Sequence, residues 1–236
     1  MARIVVFGAS GAIGSALCHW FSARDWEVLA VSRSGRPAGE EATGVHWFAV
    51  DPEAEGYAEA LAALPGPIDA VIWAQGKNAA DQIRTFDVDV HRSLYEANVV
   101  FILKTLQALL AREKLTRPAR LCVISSIWQD IARQNKLSYC VSKSALVGLV
   151  QSLVADLGPE GYLINAILPG ALDTPMTRAN LTPGQLAGLE GATPLRQLPS
   201  LNDVCSLAEF FCSSANSGIT GQFVAADKGF SHVRYL

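Results

Sequence analysis

The chain has 236 residues, of which 50% are hydrophobic and 17% are charged, so it can bury a core and lacks the composition of a disordered chain. Its length fits one domain over residues 1–236. The 19 basic and 22 acidic residues give a net charge of −3, which excludes the basic excess that nucleic acids or anionic membranes require.

The cysteine pattern indicates free thiols rather than a metal site or disulfides. The five cysteines form no C-x-x-C pair and no spacing typical of zinc ligands. We therefore expect reduced thiols in a cytoplasmic protein. No apolar run approaches the roughly 18 to 20 residues needed to span a bilayer, so we expect no membrane segment.

Short β-branched runs alternate with segments of helical periodicity, which is the pattern of βαβ units around a parallel sheet. The strand candidates are nearly continuous apolar runs, as expected for strands covered on both faces. We predict strands at residues 3–7, 27–31, 45–50, 70–73, 120–125, 163–168 and 222–225. We predict helices at residues 13–23, 57–64, 90–112, 138–157 and 201–213.

The first predicted strand leads into a glycine turn with the sequence Gly8-Ala-Ser-Gly11-Ala-Ile-Gly14, and an apolar helix follows. The glycines permit a tight turn and a close approach of the backbone, so a pyrophosphate can lie on the N–H groups at the start of the helix. The sequence therefore predicts an α/β fold with a Rossmann-type, doubly wound parallel sheet of about seven strands and helices on both faces.

The residues at the end of the second predicted strand indicate which nicotinamide cofactor the protein binds. NAD-binding sites carry an acidic residue roughly 20 residues beyond the glycines, whereas this chain has Ser32 and Arg33 there, with Arg36 close behind. Hydroxyl and guanidinium donors suit a 2′-phosphate, which favours NADP(H). The alternative is that Arg33 is an ordinary solvated loop residue.

Tyr139 and Lys143 are four residues apart in a predicted helix, so their side chains share one face. An adjacent ammonium stabilises phenolate, and we predict that Lys143 lowers the pKa of Tyr139 from its usual value of about 10. Tyr139 could then exchange a proton with a carbonyl or carbinol oxygen. Ser126 ends an apolar strand, and open α/β sheets bind ligands at such ends.

Together, these motifs resemble the short-chain dehydrogenase/reductase family over about residues 3–230. The resemblance implies that Ser126 hydrogen-bonds the substrate oxygen and that Tyr139 is the acid/base. It implies that Lys143 binds the nicotinamide ribose and depresses the tyrosine pKa, and that Asn98 belongs to a proton relay. It also implies that Asp51 contacts adenine, that Pro169 and Gly170 lie beside the nicotinamide and that Thr174 touches its carboxamide. The implied cofactor-binding positions are Gly8, Ser10, Gly11, Ala12, Ile13, Gly14, Ser32, Arg33, Asp51, Ala74, Gln75, Gly76, Tyr139, Lys143, Pro169, Gly170 and Thr174.

Two departures from the family pattern are visible. The sequence Trp73-Ala74-Gln75-Gly76 replaces the usual Asn-Asn-Ala-Gly, so an asparagine that normally braces the sheet is missing. Ala12 occupies a usual glycine position, and the glycine spacing is closer to that of the larger sugar-nucleotide epimerases and dehydratases. Too few residues follow Lys143 for their substrate domain, which favours the smaller, single-domain branch.

The resemblance implies hydride transfer between a nicotinamide and a carbonyl carbon, interconverting a ketone and a secondary alcohol. We expect residues 176–200 to form an apolar lid that favours a hydrophobic or aromatic small molecule. Trp128 either lines the same pocket or packs against the lid. The resemblance also implies a homodimer or homotetramer formed through the two long helices.

Two alternatives remain open. A 3-oxoacyl-[acyl-carrier-protein] reductase would use a basic cluster to contact an acidic carrier, although Glu160 is acidic where such reductases tend to be basic. The basic cluster comprises Arg112, Lys114, Arg117 and Arg120. A non-catalytic NADP(H)-sensing protein is the second alternative, although such proteins typically lose the tyrosine or the lysine.

Overall fold

Seven parallel strands form one sheet in the order β3-β2-β1-β4-β5-β6-β7 in the computed structural model, which describes residues 1–39, 43–174, 177–178 and 181–233. The strands are β1 (Arg3–Phe7), β2 (Glu27–Ser32), β3 (Val45–Ala49), β4 (Ile68–Trp73), β5 (Leu115–Ile124), β6 (Leu163–Pro169) and β7 (Phe223–Ala226). The helices are α1 (Ala12–Ser22), α2 (Tyr57–Ala62), α3 (Val88–Tyr95), α4 (Phe101–Ala111), α5 (Leu137–Leu157), α6 (Pro183–Ala192) and α7 (Leu201–Cys212).

The sheet separates two hydrophobic cores. Successive side chains of a strand point to opposite faces, so Val5 and Phe7 pack with α2, α4 and α5, whereas Ile4 and Val6 pack with α1 and α7. The helices therefore cover both faces of the sheet. This arrangement confirms the predicted doubly wound α/β fold.

β3 differs from the expectation that every strand is covered on both faces. Its residues are exposed or only partly buried. β3 is the edge strand and pairs with β2 alone, so the apolar run in the sequence is less enclosed than the runs at the centre of the sheet.

The predicted helix at residues 90–112 is interrupted. The Asp87 carboxylate accepts hydrogen bonds from the N–H groups of Asp89 and Val90, and α3 accordingly begins at Val88. A π-helical turn, Glu96–Val100, then separates α3 from α4. Hydrophobic periodicity does not reveal such a turn, because it inserts one residue without changing the composition.

Two other elements differ from the predictions. β5 begins at Leu115 rather than at residue 120, since Leu115 pairs with Ile68 across a local irregularity of register. α6 was not predicted, although Thr182 and Gln185 form a capping box at its start.

Two helical segments, Val88–Ala111 and Leu137–Glu160, are long and apolar enough to cross a membrane by length and composition alone. Both contribute side chains to the core beneath the sheet, such as Leu106 and Leu146. Core helices commonly have this composition, so the absence of a membrane segment stays a prediction.

None of the five cysteines forms a disulfide. Cys18, Cys122, Cys205 and Cys212 are buried, and Cys140 is half-buried. Burial raises the pKa of the Cys205 thiol to about 11, so this thiol carries little thiolate near neutral pH.

Candidate active site

The carboxyl ends of the central strands are aligned at one edge of the sheet, which we call the carboxyl edge. Phe7 is paired with Trp73, and Trp73 is paired with Val123 on the next strand. Ile124 is paired in turn with Ile167. The segments that follow β1, β4, β5 and β6 therefore meet at this edge, where open α/β sheets bind ligands.

The glycine turn requires two of its glycines for steric reasons. Gly8 has φ +77°, and a Cβ added there would lie 2.5 Å from the Gln75 nitrogen. A Cβ added at Gly14 would lie 2.2 Å from the Gly8 carbonyl oxygen. These contacts bring the turn close to both β4 and α1, and only glycine permits them.

Helix α1 begins after Gly11, which makes no side-chain cap. The first N–H groups of a helix have no partner within the helix and attract anions. Ala12 and Ile13 form this first turn; Ala12 is exposed, and Ile13 is half-buried against the core on the α1 face. Ser10 is exposed on the wall of the adjoining cleft.

A cleft of about 340 Å³ runs from the glycine turn to the ends of β2 and β3. Ser32, Arg33 and Asp51 line this cleft. The Ser32 hydroxyl donates to the Gly35 carbonyl at 2.6 Å, so it is already engaged, whereas the Arg33 side chain is exposed. Asp51 accepts a hydrogen bond from the Glu53 N–H at 3.0 Å.

The segment after β4 links the cleft to Lys143. The Ala74 N–H donates to the Phe7 carbonyl at 2.9 Å and continues the pairing of β1 with β4. Gln75 and Gly76 also line the cleft. A Cβ added at Gly76 would lie 3.4 Å from Asn98 Oδ1 and 3.8 Å from Lys143 Nζ, so the cleft leads directly to these two side chains.

Asn98 lies in the π-helical turn and holds two other segments in place. Its Oδ1 accepts the Lys77 N–H at 2.7 Å, and its Nδ2 donates to the Lys77 carbonyl at 3.0 Å. Nδ2 also donates to Ser142 Oγ at 2.9 Å. The Asn98 side chain therefore fixes the loop after β4 against α5 and positions the residues around it.

Ser126, Tyr139 and Lys143 converge at the carboxyl edge. The Ser126 hydroxyl accepts the Trp128 N–H at 3.3 Å and interacts with the Tyr139 side chain, whose pKa it lowers. Lys143 Nζ lies 5.7 Å from the centre of the Tyr139 ring. Lys143 is buried, and its ammonium donates to the Ile124 carbonyl at 3.1 Å.

The prediction that Lys143 lowers the pKa of Tyr139 is wrong for this structure. Burial raises the pKa of Tyr139, because a phenolate is poorly solvated there, while the hydrogen bond to Ser126 acts in the opposite direction. Burial also lowers the pKa of Lys143 to about 8. Desolvation therefore sets the direction of both pKa shifts.

The anchoring of the α5 N-terminus was missed by sequence reasoning. The Asp81 carboxylate accepts hydrogen bonds from both the N–H and the hydroxyl of Ser138, which directly precedes Tyr139. His91 Nδ1 lies 2.9 Å from the same hydroxyl. No local sequence motif links Asp81 to Ser138, since the contact joins two segments that are distant in the chain.

The residues expected beside the nicotinamide also lie at the carboxyl edge. Pro169 ends β6, and the Gly170 N–H donates to the Ala226 carbonyl at 3.1 Å. A Cβ added at Gly170 would lie 2.9 Å from the Asp227 Cβ. Thr174 is buried, and its hydroxyl accepts the Thr177 N–H at 3.1 Å.

Comparison with known sequences places the chain in a family. The sequence model described as enoyl-(acyl carrier protein) reductase matches residues 8–231. The 3-oxoacyl-[acyl-carrier-protein] reductase FabG of Salmonella typhimurium is 25% identical over 233 residues, which cover 95% of this chain and 95% of that protein. The enoyl-[acyl-carrier-protein] reductase [NADH] FabI of Haemophilus influenzae is 30% identical over 169 residues, covering 70% of this chain and 63% of that protein.

Solved structures share the fold. A short-chain dehydrogenase family protein of Francisella tularensis has a TM-score of 0.88 at 20% identity, with 99% of this chain and 100% of that one covered. The structure of ElxO with NADP bound has a TM-score of 0.86 at 19% identity, with 97% of this chain and 98% of that one covered. The chain belongs to the short-chain dehydrogenase/reductase family. It is therefore an oxidoreductase of a family that uses a nicotinamide cofactor.

The residues present fit such a cofactor. In this short-chain dehydrogenase/reductase, the Gly8 and Gly14 positions leave no room for a Cβ, and the start of α1 offers N–H groups to a pyrophosphate. The cleft extends from there to Arg33 in one direction and to Gly76 in the other. These N–H and guanidinium donors suit the phosphate groups of a dinucleotide.

The expected lid at residues 176–200 lies only partly within the described residues, since Met176, Ala179 and Asn180 fall outside them. Leu189 in α6 and Leu198 beyond it line a small apolar space together with Trp128 and Phe230. The Trp128 and Phe230 rings are 6.1 Å apart in an edge-to-face contact. Trp128 is thus packed in the apolar wall that the second half of the expected lid covers.

The basic cluster lies away from this site. Lys114 and Arg117 are at the amino-terminal end of β5, whereas Ser126 follows its carboxyl end. Lys114 donates to the Ala62 and Leu64 carbonyls, and Arg117 pairs with Glu160 at 2.9 Å. These two residues of the cluster therefore lie at the opposite edge of the sheet, about 30 Å from the carboxyl edge for a ten-residue strand.

Proposed function

We propose that this protein is an NADP(H)-dependent oxidoreductase that interconverts a ketone and a secondary alcohol by hydride transfer, acting on a hydrophobic or aromatic small molecule. The observation that carries the proposal is that the Ser126 hydroxyl interacts with the Tyr139 side chain beside the Lys143 ammonium. Two hydroxyl donors that converge on one point can together hold one carbonyl oxygen.

Each side chain of the site has its own role in the proposed reaction. The bound nicotinamide supplies or accepts the hydride. Ser126 donates a hydrogen bond to the substrate oxygen, and Tyr139 gives that oxygen a proton as negative charge develops on it. The burial that raises the pKa of Tyr139 keeps the phenol protonated, which is the state that reduction requires. The Lys143 ammonium, 5.7 Å from the centre of the ring, places a positive charge beside the phenolate that remains.

The preference for NADP(H) rests on Arg33. Its guanidinium is exposed at the end of the cleft beside β2, where its chain neighbours Ser32 and Ser34 are uncharged, and the Asp51 carboxylate lines the cleft from the β3 side. A guanidinium can hold a 2′-phosphate with two parallel hydrogen bonds. ElxO has been solved with NADP bound, whereas FabI is named for NADH, so similar proteins differ in this choice.

The cofactor preference is tested by measuring the dissociation constants of NADPH and NADH for the wild type and for Arg33→Ala. We expect the wild type to bind NADPH more tightly and Arg33→Ala to lose about tenfold or more of that affinity, with little change for NADH. Arg84→Ala, at an exposed arginine that does not line the cleft, is the control. Tighter binding of NADH by the wild type would overturn the NADP(H) assignment.

The apolar side chains around Trp128 support a hydrophobic or aromatic substrate, and the space of about 10 Å³ between them has to widen before a substrate can enter. Leu189, Leu198, Trp128 and Phe230 contribute its walls, and such walls bind apolar groups by excluding water. A panel of aliphatic, alicyclic and aromatic ketones with NADPH tests the class. Reduction only of small polar ketones would contradict it.

A 3-oxoacyl-[acyl-carrier-protein] reductase is the second candidate. The similarity to FabG over 95% of both chains favours it. The basic cluster gives it no support, because its residues lie at the opposite edge of the sheet from Ser126. Comparing turnover of a carrier-bound 3-oxoacyl thioester with that of a free ketone decides between the two.

Activity with any carbonyl compound tests whether the protein is an enzyme at all. We expect NADPH oxidation by the wild type with at least one ketone and none by Tyr139→Phe, with NADPH binding kept in both. Binding of NADPH by the wild type without turnover on any of these substrates would favour the non-catalytic NADP(H)-sensing alternative.

We also propose a cytoplasmic homodimer or homotetramer with no nucleic-acid or membrane partner. The long helices expose Val88 and Leu103 on α3 and α4 and Val141 on α5, and apolar residues of this kind are commonly covered in oligomers. Light scattering coupled to size exclusion measures the mass. A monomer at micromolar concentration would contradict the proposal.

A further inference from the structure

Gln75 stands between the glycine turn and Lys143. Gln75 follows β4 and lines the cleft. A Cβ added at Gly8 would lie 2.5 Å from the backbone nitrogen of Gln75 and 2.6 Å from its Cα. The next residue, Gly76, faces Asn98 and Lys143. A dinucleotide that reaches from the turn to Lys143 must therefore pass Gln75.

Both polar atoms of the Gln75 side chain, Oε1 and Nε2, are buried and make no hydrogen bond with any of the described residues. A carboxamide offers two N–H donors and two lone pairs. Leaving such groups buried and unpaired destabilises a protein, and native structures rarely do so without a functional reason.

Arg3 provides the comparison within the described part of the chain. Its Nε is also buried without a partner, but the other two guanidinium nitrogens donate to Pro67 and Glu27. Gln75 is thus the one described side chain whose entire polar group is buried and unpaired. A ligand in the cleft can supply its partner.

We propose that the Gln75 carboxamide binds a ribose of the dinucleotide, donating through Nε2 and accepting through Oε1. The proposal rests on the cofactor binding in the proposed function and deepens it. Pyrophosphate oxygens only accept hydrogen bonds and would leave Oε1 unpaired, whereas ribose hydroxyls both donate and accept. A ribose therefore satisfies both atoms of the side chain.

The position of Gln75 in the family pattern agrees with a role of its own. Gln75 stands where the family has alanine, within the segment that lacks the usual bracing asparagine. Asn98 already holds the segment after β4 through both backbone groups of Lys77. The Gln75 side chain is therefore not needed as a brace and is available to a ligand.

The test is Gln75→Met, which keeps the length of the side chain and removes its polar atoms. We expect the melting temperature of the cofactor-free protein to rise, because an unpaired buried amide is lost, and NADPH to bind about tenfold to a hundredfold more weakly, because a paired one is lost from the complex. These opposite signs distinguish ligand binding from a packing role. Gln107→Met, at an exposed position of α4, is the control and should change neither quantity.

A second ligand identifies the ribose. An equal loss of affinity for NADPH and for 2′,5′-ADP assigns Gln75 to the adenosine ribose, and a loss for NADPH alone assigns it to the nicotinamide ribose; either result supports the proposal. A melting temperature that falls together with unchanged affinity for both ligands would overturn it. Calorimetric binding needs no turnover, so a wild type that binds NADPH but reduces no ketone refutes the proposed reaction and leaves the role of Gln75 testable.

Discussion

The Lys143 ammonium donates a hydrogen bond to the carbonyl oxygen of Ile124, the last residue of β5, at 3.1 Å. The lysine is buried, and burial lowers its pKa from 10.5 to about 8. The folded protein therefore holds a charge that it stabilises less well than water does. A helix that carries a buried cation keeps it at a cost in stability.

Lys143→Met should abolish turnover and stabilise the cofactor-free protein at neutral pH. Below about pH 8 the folded wild type bears the full penalty of burying the ammonium, which is about 3 kcal/mol, since lowering a pKa by one corresponds to about 1.4 kcal/mol. Between the folded and unfolded pKa values the unfolded chain binds more protons, so wild-type stability rises with pH and the advantage of Lys143→Met shrinks. Thermal denaturation from about pH 7 to about pH 10 measures the difference. A difference that does not change with pH would show that burial does not destabilise the ammonium.

Gly14→Ala should disrupt the glycine turn, whereas Gly11→Ala should not disturb the fold. The added Cβ would lie 2.2 Å from the Gly8 carbonyl oxygen in the first variant and 3.4 Å from it in the second. We expect Gly14→Ala to lose about 2 kcal/mol or more of unfolding free energy, and Gly11→Ala to stay within about 0.5 kcal/mol of the wild type. Urea denaturation without cofactor compares the pair. Equal losses in the two variants would contradict the steric argument.

Ser126→Ala should raise the pKa of Tyr139 further, because the hydrogen bond from Ser126 lowers it in the wild type. Reduction needs the protonated phenol, so its rate falls as Tyr139 ionises, and that alkaline limb should move to higher pH in the variant. We also expect the turnover number to fall about a hundredfold, since the substrate oxygen loses a donor. The pH dependence of ketone reduction measures both effects. An alkaline limb at the same pH in the variant and the wild type would show that Ser126 does not lower the pKa of Tyr139.

Asp81→Ala should lower turnover by misplacing Tyr139. The change leaves the Ser138 N–H and hydroxyl without the carboxylate that holds them, and we expect a loss of about 1 to 3 kcal/mol of stability. Ser200→Ala, which removes the side-chain cap of α7 on the other face of the sheet, should cost about 1 kcal/mol and leave the turnover number unchanged. The two turnover numbers, taken at saturating substrate, separate positioning from general destabilisation. Equal turnover in both variants would show that Asp81 acts on stability alone.

The sequence predicts most of the site because its chemistry is local. The spacing of Gly8 and Gly14 predicts a tight turn that has no room for side chains. In the structure, both glycines lie against backbone atoms. Tyr139 and Lys143 share one face because α5 begins at Leu137 and continues without interruption past both. Local spacing is sufficient wherever a single element carries the geometry.

The remainder depends on contacts between distant segments. The hydrogen bonds between Asp81 and Ser138 connect a loop to a helix 57 residues away, and no periodic pattern in the sequence predicts them. The raised pKa of Tyr139 reflects how deeply several elements enclose the phenol. The alternative that the basic cluster contacts an acidic carrier depended on the place of these residues in the fold, and Lys114 and Arg117 lie at the amino-terminal end of β5, which starts earlier than its apolar run.

The distribution of thiols offers a probe of the molecule. Cys140 is half-buried in the first turn of α5, while the other four cysteines are enclosed by the fold. A small alkylating reagent should therefore modify Cys140 first. The rate at which this adduct forms, measured by mass spectrometry with and without a bound ligand, would report how stably the first turn of α5 is folded in each state.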